Sequence, residues 1–166
     1  MTIDESILYL RRKFPEISPR VAYDVDSKGE SFCELFMPCK ANENLPISIT
    51  VTSDGCLFSV GRMHNVMGKE PISAETCAAA IGDVVDGKIL FVFGYKNEDD
   101  YADSKVFFHR FFALTGREDD MSEEYSEFLA TLEKKPSWLE RKFGGTVGIF
   151  EISSFDKADV KIIKRM

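Results

Sequence analysis

Few residues in this chain are equipped for chemistry. Arg62 and His64 share one polar connection, and His109 and Arg110 are neighbours inside an aromatic run. A guanidinium and an imidazole on different elements would suit an anion or another small polar molecule if all four side chains met in one concave pocket. Their spacing along the chain does not bring them together. A nucleophile would need a base beside it. Cys56 precedes His64, but it fits the apolar alternation of its own segment and reads as a core residue. No GxSxG, P-loop or GxGxxG pattern occurs, and Gly144-Gly145 with Gly148 reproduces no phosphate cradle. No catalytic residue is therefore assigned.

Metal chemistry is equally sparse. The two histidines lie far apart, and no thiol stands at zinc-finger spacing from either. Glu98, Asp99, Asp100 and Asp103 form an acidic run, which lacks the glycine and distal glutamate of an EF-hand loop. Such a run is expected to be a solvated connection. The sequence thus predicts no metal and no cofactor.

Bulk properties narrow the class. The chain has 166 residues, 44% of them hydrophobic and 30% charged, the balance of a globular domain with a real core. Fourteen are Phe, which points to an aromatic core. The net charge of −7 argues against a nucleic-acid partner, because phosphate backbones need clustered cations. Cys33, Cys39, Cys56 and Cys77 show no CxxC pair, and each sits in an apolar or alternating segment. They are expected to be reduced and buried. The first 14 residues carry charges throughout, and no apolar run is long enough for a membrane span. A cytoplasmic protein with no membrane partner is expected.

The positioning elements follow from periodicity. Asp4 to Phe14 reads as an amphipathic helix, with Asp4 as cap, Ile7, Leu8, Leu10 and Phe14 as its stripe, and Pro15 as its stop. Strands are expected over 21–25 and 31–37, joined by the turn Asp26-Ser27-Lys28-Gly29. Ile47, Ile49 and Val51 alternate with polar residues up to Ser53-Asp54-Gly55. Cys56, Phe58 and Val60 return, which predicts an antiparallel hairpin. Gly61 to Pro71 is a loop.

Ser73 caps a helix whose apolar face is Cys77, Ala78, Ile81, Val84 and Val85, and Asp86-Gly87 stops it. Ile89 to Phe93 is apolar at every position, so it is expected to be a strand covered on both faces. Lys105 to Leu114 fits either a helix or a strand. The strand, paired with 89–95 across the acidic connection, is favoured. The stretch 73–114 is expected to hold the core, with the rest wrapped around it.

Farther on, Gly116 to Asp120 is a turn, and Asp120 with Glu123 would make a capping box. Tyr125, Phe128, Leu129 and Leu132 form a helical stripe that Pro136 ends. Ser137 would cap one more turn holding Trp138 and Leu139, and Gly144-Gly145 breaks the chain. Strands over 146–152 and 160–163, separated by a turn at 156–159, complete the pattern.

These elements predict a single α+β domain spanning 1–166, with a mostly antiparallel sheet and helices packed mainly on one face. Their order is similar to that of small acidic two-layer α+β binding proteins, such as type III secretion chaperones and bacterial toxin-immunity proteins. That resemblance is one of architecture and is carried by no local motif. With no catalytic motif, no metal cluster and an acidic net charge, the expectation is a non-enzymatic acidic binding module whose partner is another protein, of chaperone or immunity type. The alternative is a small-molecule-binding protein or enzyme with a pocket built from Arg62, His64, His109 and Arg110. Nothing in the sequence indicates the oligomeric state.

Overall fold

The computed structural model describes residues 1–26, 29–64, 66–114, 123–134, 148–156 and 160–165. The fold is α+β, with two antiparallel sheets. The chain divides into two compact units, Met1–Asp86 and Gly87–Met166.

The first unit opens with α1 (Ile3–Lys13). Its cap is Thr2, not the expected Asp4. Thr2 accepts from the Glu5 backbone N–H, while the Glu5 carboxylate accepts from the Thr2 N–H at 2.7 Å. The threonine wins because its N3 residue is a glutamate, which completes a reciprocal box that Asp4 could not form. Four strands follow: β1 (Ser18–Val25), β2 (Ser31–Met37), β3 (Ile47–Thr52) and β4 (Gly55–Val60). They form a meander in the order β1-β2-β3-β4. The predicted hairpin is present, with Thr52 opposite Gly55 and Ile49 opposite Phe58.

Alternation decides which face this sheet buries. Cys33, Leu35 and Met37 stand across from Val51, Ile49 and Ile47, which in turn face Cys56, Phe58 and Val60. All nine are buried. α1 packs on β3, and α2 (Ala74–Val85) packs on β4 and on α1. Ser73 caps α2 as expected by accepting from the Thr76 N–H, and Gly87 takes a φ of 69° after its end. Cys77, Ile81 and Val84 on its inner face are fully buried.

The second unit contains β5 (Ile89–Tyr95), α3 (Glu98–Ala102), β6 (Phe108–Ala113), α4 (Glu123–Glu133), β7 (Ile149–Ser154) and β8 (Lys161–Lys164). Its sheet runs β6-β5-β7-β8. The favoured strand at 105–114 is present and pairs with β5 as expected, Phe91 opposite Phe111. The acidic connection differs from expectation, for it holds the short helix α3. Asn97 caps it by accepting from the Asp100 N–H at 2.8 Å, and three carboxylates in its first turn complement the helix dipole. The stretch 73–114 does not form one core. α2 lies in the first unit, and β5 and β6 lie in the second.

Strand alternation divides the β5 residues between two faces. Leu90 and Val92 join Phe112, Phe150 and Ile152 under α4, against Tyr125, Phe128, Leu129 and Leu132. Phe128 stacks on Phe108 and meets Phe150 edge-on, with centroids 6.4 and 5.9 Å apart. Burial pushes the Tyr125 phenol upward in pKa. Phe91, Phe93 and Tyr95 occupy the opposite face and are buried, and Tyr101 of α3 meets Tyr95 edge-on at 5.0 Å. The expected turn at 116–120, the Asp120 cap, Pro136, Ser137, Trp138, Leu139 and Gly144-Gly145 lie outside the described residues. So do 146–147 and 157–159.

Candidate functional site

The four residues singled out for chemistry divide between the units. Arg62 and His64 belong to the first. Val60 and Met63 exchange backbone hydrogen bonds of 3.0 and 2.9 Å, so the chain reverses tightly just after β4. Arg62 sits half-buried in that reversal, and His64 is exposed after it. His109 and Arg110 belong to the second unit, on β6.

As adjacent strand residues, His109 and Arg110 project from opposite faces of the sheet. His109 is exposed on the face of Phe93, its cross-strand neighbour. Arg110 faces the α4 side, where it pairs with Glu124 and lies over the Phe112 ring at 4.6 Å. The sequence offered no sign that Arg110 was committed to a carboxylate on a later helix.

The cysteines are all buried and unbridged. Cys56 has the thiol of Cys77 as its neighbour, not His64. Cys77 donates to Cys56, and this with burial pushes the Cys77 thiol far up in pKa, while accepting the bond draws Cys56 down. Burial raises Cys33, with Asp4 and Glu34 adding to the effect, and its thiol contacts the Val21 carbonyl at 3.2 Å. A protonated, enclosed thiol is a poor nucleophile. Among the described residues there is no group of three or more metal-ligating side chains. Nor is any helix there long and apolar enough to cross a membrane.

Sequence reasoning passed over Glu151. It is the acid of an otherwise uncharged strand and is only 4% exposed. The Tyr95 hydroxyl donates to its Oε2 at 3.3 Å, and its Oε1 has no hydrogen-bond partner among the described residues. Two residues on, the buried Ser153 hydroxyl likewise has none among them. Their signal was Glu151 and Ser153 at alternate positions of an apolar strand, which puts both on the Tyr95 face.

The feature that distinguishes the molecule lies in its sheet edges. Edge strands carry unpaired backbone groups and are ordinarily protected by bulges, proline, charge or covering chain. β1 contains Pro19 and two register shifts, between Pro19 and Val21 and between Val21 and Asp24. β4 is covered by the chain that follows it. Cys56 exchanges bonds with Ile72 (2.8 and 2.9 Å), Phe58 accepts from Val66 (3.0 Å), and Val60 pairs with Met63. β8 has four residues with a lysine at each end, and Lys164 pairs with Glu98 at 2.6 Å.

β6 is guarded less. An irregularity at its start, where the Phe107 N–H bonds the carbonyl of Gly94 although Phe108 is the cross-strand partner of Gly94, stops short of His109. Its one charge, Arg110, pairs with Glu124, and among the described residues it holds no proline and no covering chain. The Leu114 N–H bonds the Lys88 carbonyl at 2.6 Å, which sets the phase of the ladder. Antiparallel alternation then turns the backbones of Phe112, Arg110 and Phe108 toward β5, and those of His109, Phe111 and Ala113 outward. Among the described residues no strand pairs with that outer side. Phe111 is 40% exposed, and Phe107, just before the strand, is 51% exposed with Lys96 over its ring at 4.3 Å. No protein-family model, curated protein or solved structure matches this chain.

Proposed function

We propose that this chain is a non-enzymatic binding module for another polypeptide, which adds an extended strand along the outer side of β6. The contrast among the sheet edges supports this reading. Proline and bulges, a covering segment, and a short lysine-flanked strand guard β1, β4 and β8. β6 instead offers outward backbone groups at His109, Phe111 and Ala113 beside two exposed phenylalanines. Backbone bonds would supply affinity, and the alternating side chains would supply selectivity.

The net charge of −7 leaves nucleic acid out of this reading, and the four buried thiols fit work in a reducing cytoplasm. A pocket shared by Arg62, His64, His109 and Arg110 is less well supported, because His109 and Arg110 diverge and Arg110 is already paired.

The test exploits the direction of one N–H. At position 111 the backbone donor points outward, so Phe111→Pro removes a donor for an incoming strand while sparing the bonds to β5. Extended peptides selected from a displayed random library should bind the natural chain and lose about tenfold or more in affinity for Phe111→Pro. Asp99→Ala should leave their binding unchanged. Equal binding by Phe111→Pro and the natural chain would refute the proposal.

A further inference from the structure

We infer that the strand best matched to the β6 edge is β6 of a second copy of this chain, paired antiparallel about Phe111. This rests on reading β6 as a strand-accepting edge and adds the identity of its first occupant.

The register follows from three constraints. Outward backbones sit at the odd positions 109, 111 and 113, so only odd positions can form the hydrogen-bonded pairs of a new ladder. A two-fold centred on His109 overlaps the strands only over 108–110, which leaves most of each edge bare. A two-fold centred on Arg110 overlaps 108–112 but sets Arg110 directly opposite its own copy, and like charges opposed across strands are unfavourable. A two-fold centred on Phe111 overlaps 109–113 and opposes no like charges.

In that register Phe111 meets its own copy, an aromatic cross-strand pair that covers the ring now 40% exposed. His109 stands opposite Ala113, where the small side chain leaves room for the imidazole. Arg110 stands opposite Phe112 of the second copy. Within one chain Arg110 already lies over Phe112 at 4.6 Å, so the pairing repeats across the junction a contact that the strand makes internally. The axis stands perpendicular to the sheet. The four-stranded sheet is thereby doubled into a continuous one, with the β6 edge of each copy removed. Any foreign strand would compete with the second copy for this edge, so self-association would set the threshold for partner binding.

Sedimentation equilibrium of the natural chain should give a mass rising with concentration from 18.8 kDa toward twice that value. Phe111→Pro should weaken the association by about tenfold or more, and His109→Pro, at another of the three outward donors, should do the same. Far-ultraviolet circular dichroism and retained thiol burial would certify that each variant is folded. Phe111→Cys should be joined to itself by a short bis-maleimide far faster than His109→Cys is, since only position 111 faces its own copy. A chain that stays at 18.8 kDa at every soluble concentration overturns the inference. So does a dimer that both folded proline variants retain, or one that cross-links faster at 109. If the monomeric chain still takes selected peptides at β6, the inference alone has failed. If it takes none, the binding reading has failed as well.

Discussion

The two sheets share a plan and differ at their margins. Each has four antiparallel strands, a buried centre and helix packing on at least one face. The first spends chain on its edges. The chain between β4 and α2 returns to bond Val60, Phe58 and Cys56, and β1 carries Pro19 and two register shifts. The second leaves β6 unpaired on its outer side among the described residues, with exposed Phe111 at an outward position and its one charge, Arg110, engaged by Glu124. A sheet's interior is thus held by burial, which both units achieve. Its edges are a matter of backbone hydrogen bonding, which the first unit supplies along β4 and, among the described residues, the second does not supply along β6.

The sharpest way to break this comparison is at a centre, where the two sheets are alike. Phe91 is fully buried between β6 and β7. Phe91→Ala should cost about 3–5 kcal/mol, because the cavity is added to the lost transfer energy. Urea unfolding would measure it. A loss under about 1 kcal/mol would mean that β5 is not the centre of its sheet.

Gly61→Ala should open the edge that the first sheet closes. Gly61 has a φ of 56°, its N–H bonds the Pro46 carbonyl at 2.8 Å, and a β-carbon there would come within 2.5 Å of the Asn44 carbonyl oxygen. The left-handed conformation alone costs a side chain roughly 1–2 kcal/mol. Hydrogen exchange at Val60 and Met63 should accelerate in step with the loss of stability. Unchanged protection there would show that the turn does not guard β4.

The Ser73 cap supports α2, which lies over the β4 side of the first sheet. Ser73→Ala should cost about 1 kcal/mol, read as a lower midpoint in urea with an unaltered slope. A changed slope would mean that more than the cap had been lost.

The smallest effect concerns the guard on β8. Lys164 holds the Glu98 carboxyl below its usual pKa. The sign follows from linkage. The stabilisation is present above the unfolded-state pKa and is lost as pH falls through the folded-state value. Both groups are exposed, so the effect is slight and screened by salt. Glu98→Gln should lower stability slightly at neutral pH, and the difference from the natural chain should vanish as pH falls through the folded-state pKa, which flattens the acid limb. By contrast, Asp99→Ala, exposed and outside that pair, should shift stability by no more than about 0.5 kcal/mol. An effect of Glu98→Gln that is as large in acid as at neutral pH would remove the ion pair's role.

Much of the local structure was legible. The alternation of Ile47 to Val60 forced a hairpin, because period-two patterning fixes both conformation and buried face. Ser73 and Gly87 marked the limits of a helix because capping chemistry is local. The acidic run misled, since Asn97 could cap a helix as readily as it could sit in a loop. Asp86-Gly87 read as a helix stop, and nothing in its composition distinguished it as the boundary between units. Of the candidate site residues, Arg62, His64, His109 and Arg110 were visible as types. Their partners were not.

By itself the sequence determined most of the strands and helices, with α3 the exception, which of their side chains are apolar on one face, and that the class is α+β. Those properties arise from contacts within a few residues or from the repeat of one strand or helix. Only the tertiary structure decided that β6 lies outermost, that Arg110 answers Glu124, and that the outward backbone groups belong to His109, Phe111 and Ala113. Strand order joins segments far apart in sequence, as when β5 takes β7 on the side away from β6. The phase of a ladder is set by which residue meets which across that distance. A backbone N–H has the same chemistry in every strand. Its partner, or its freedom to find one, is a property of position in the sheet.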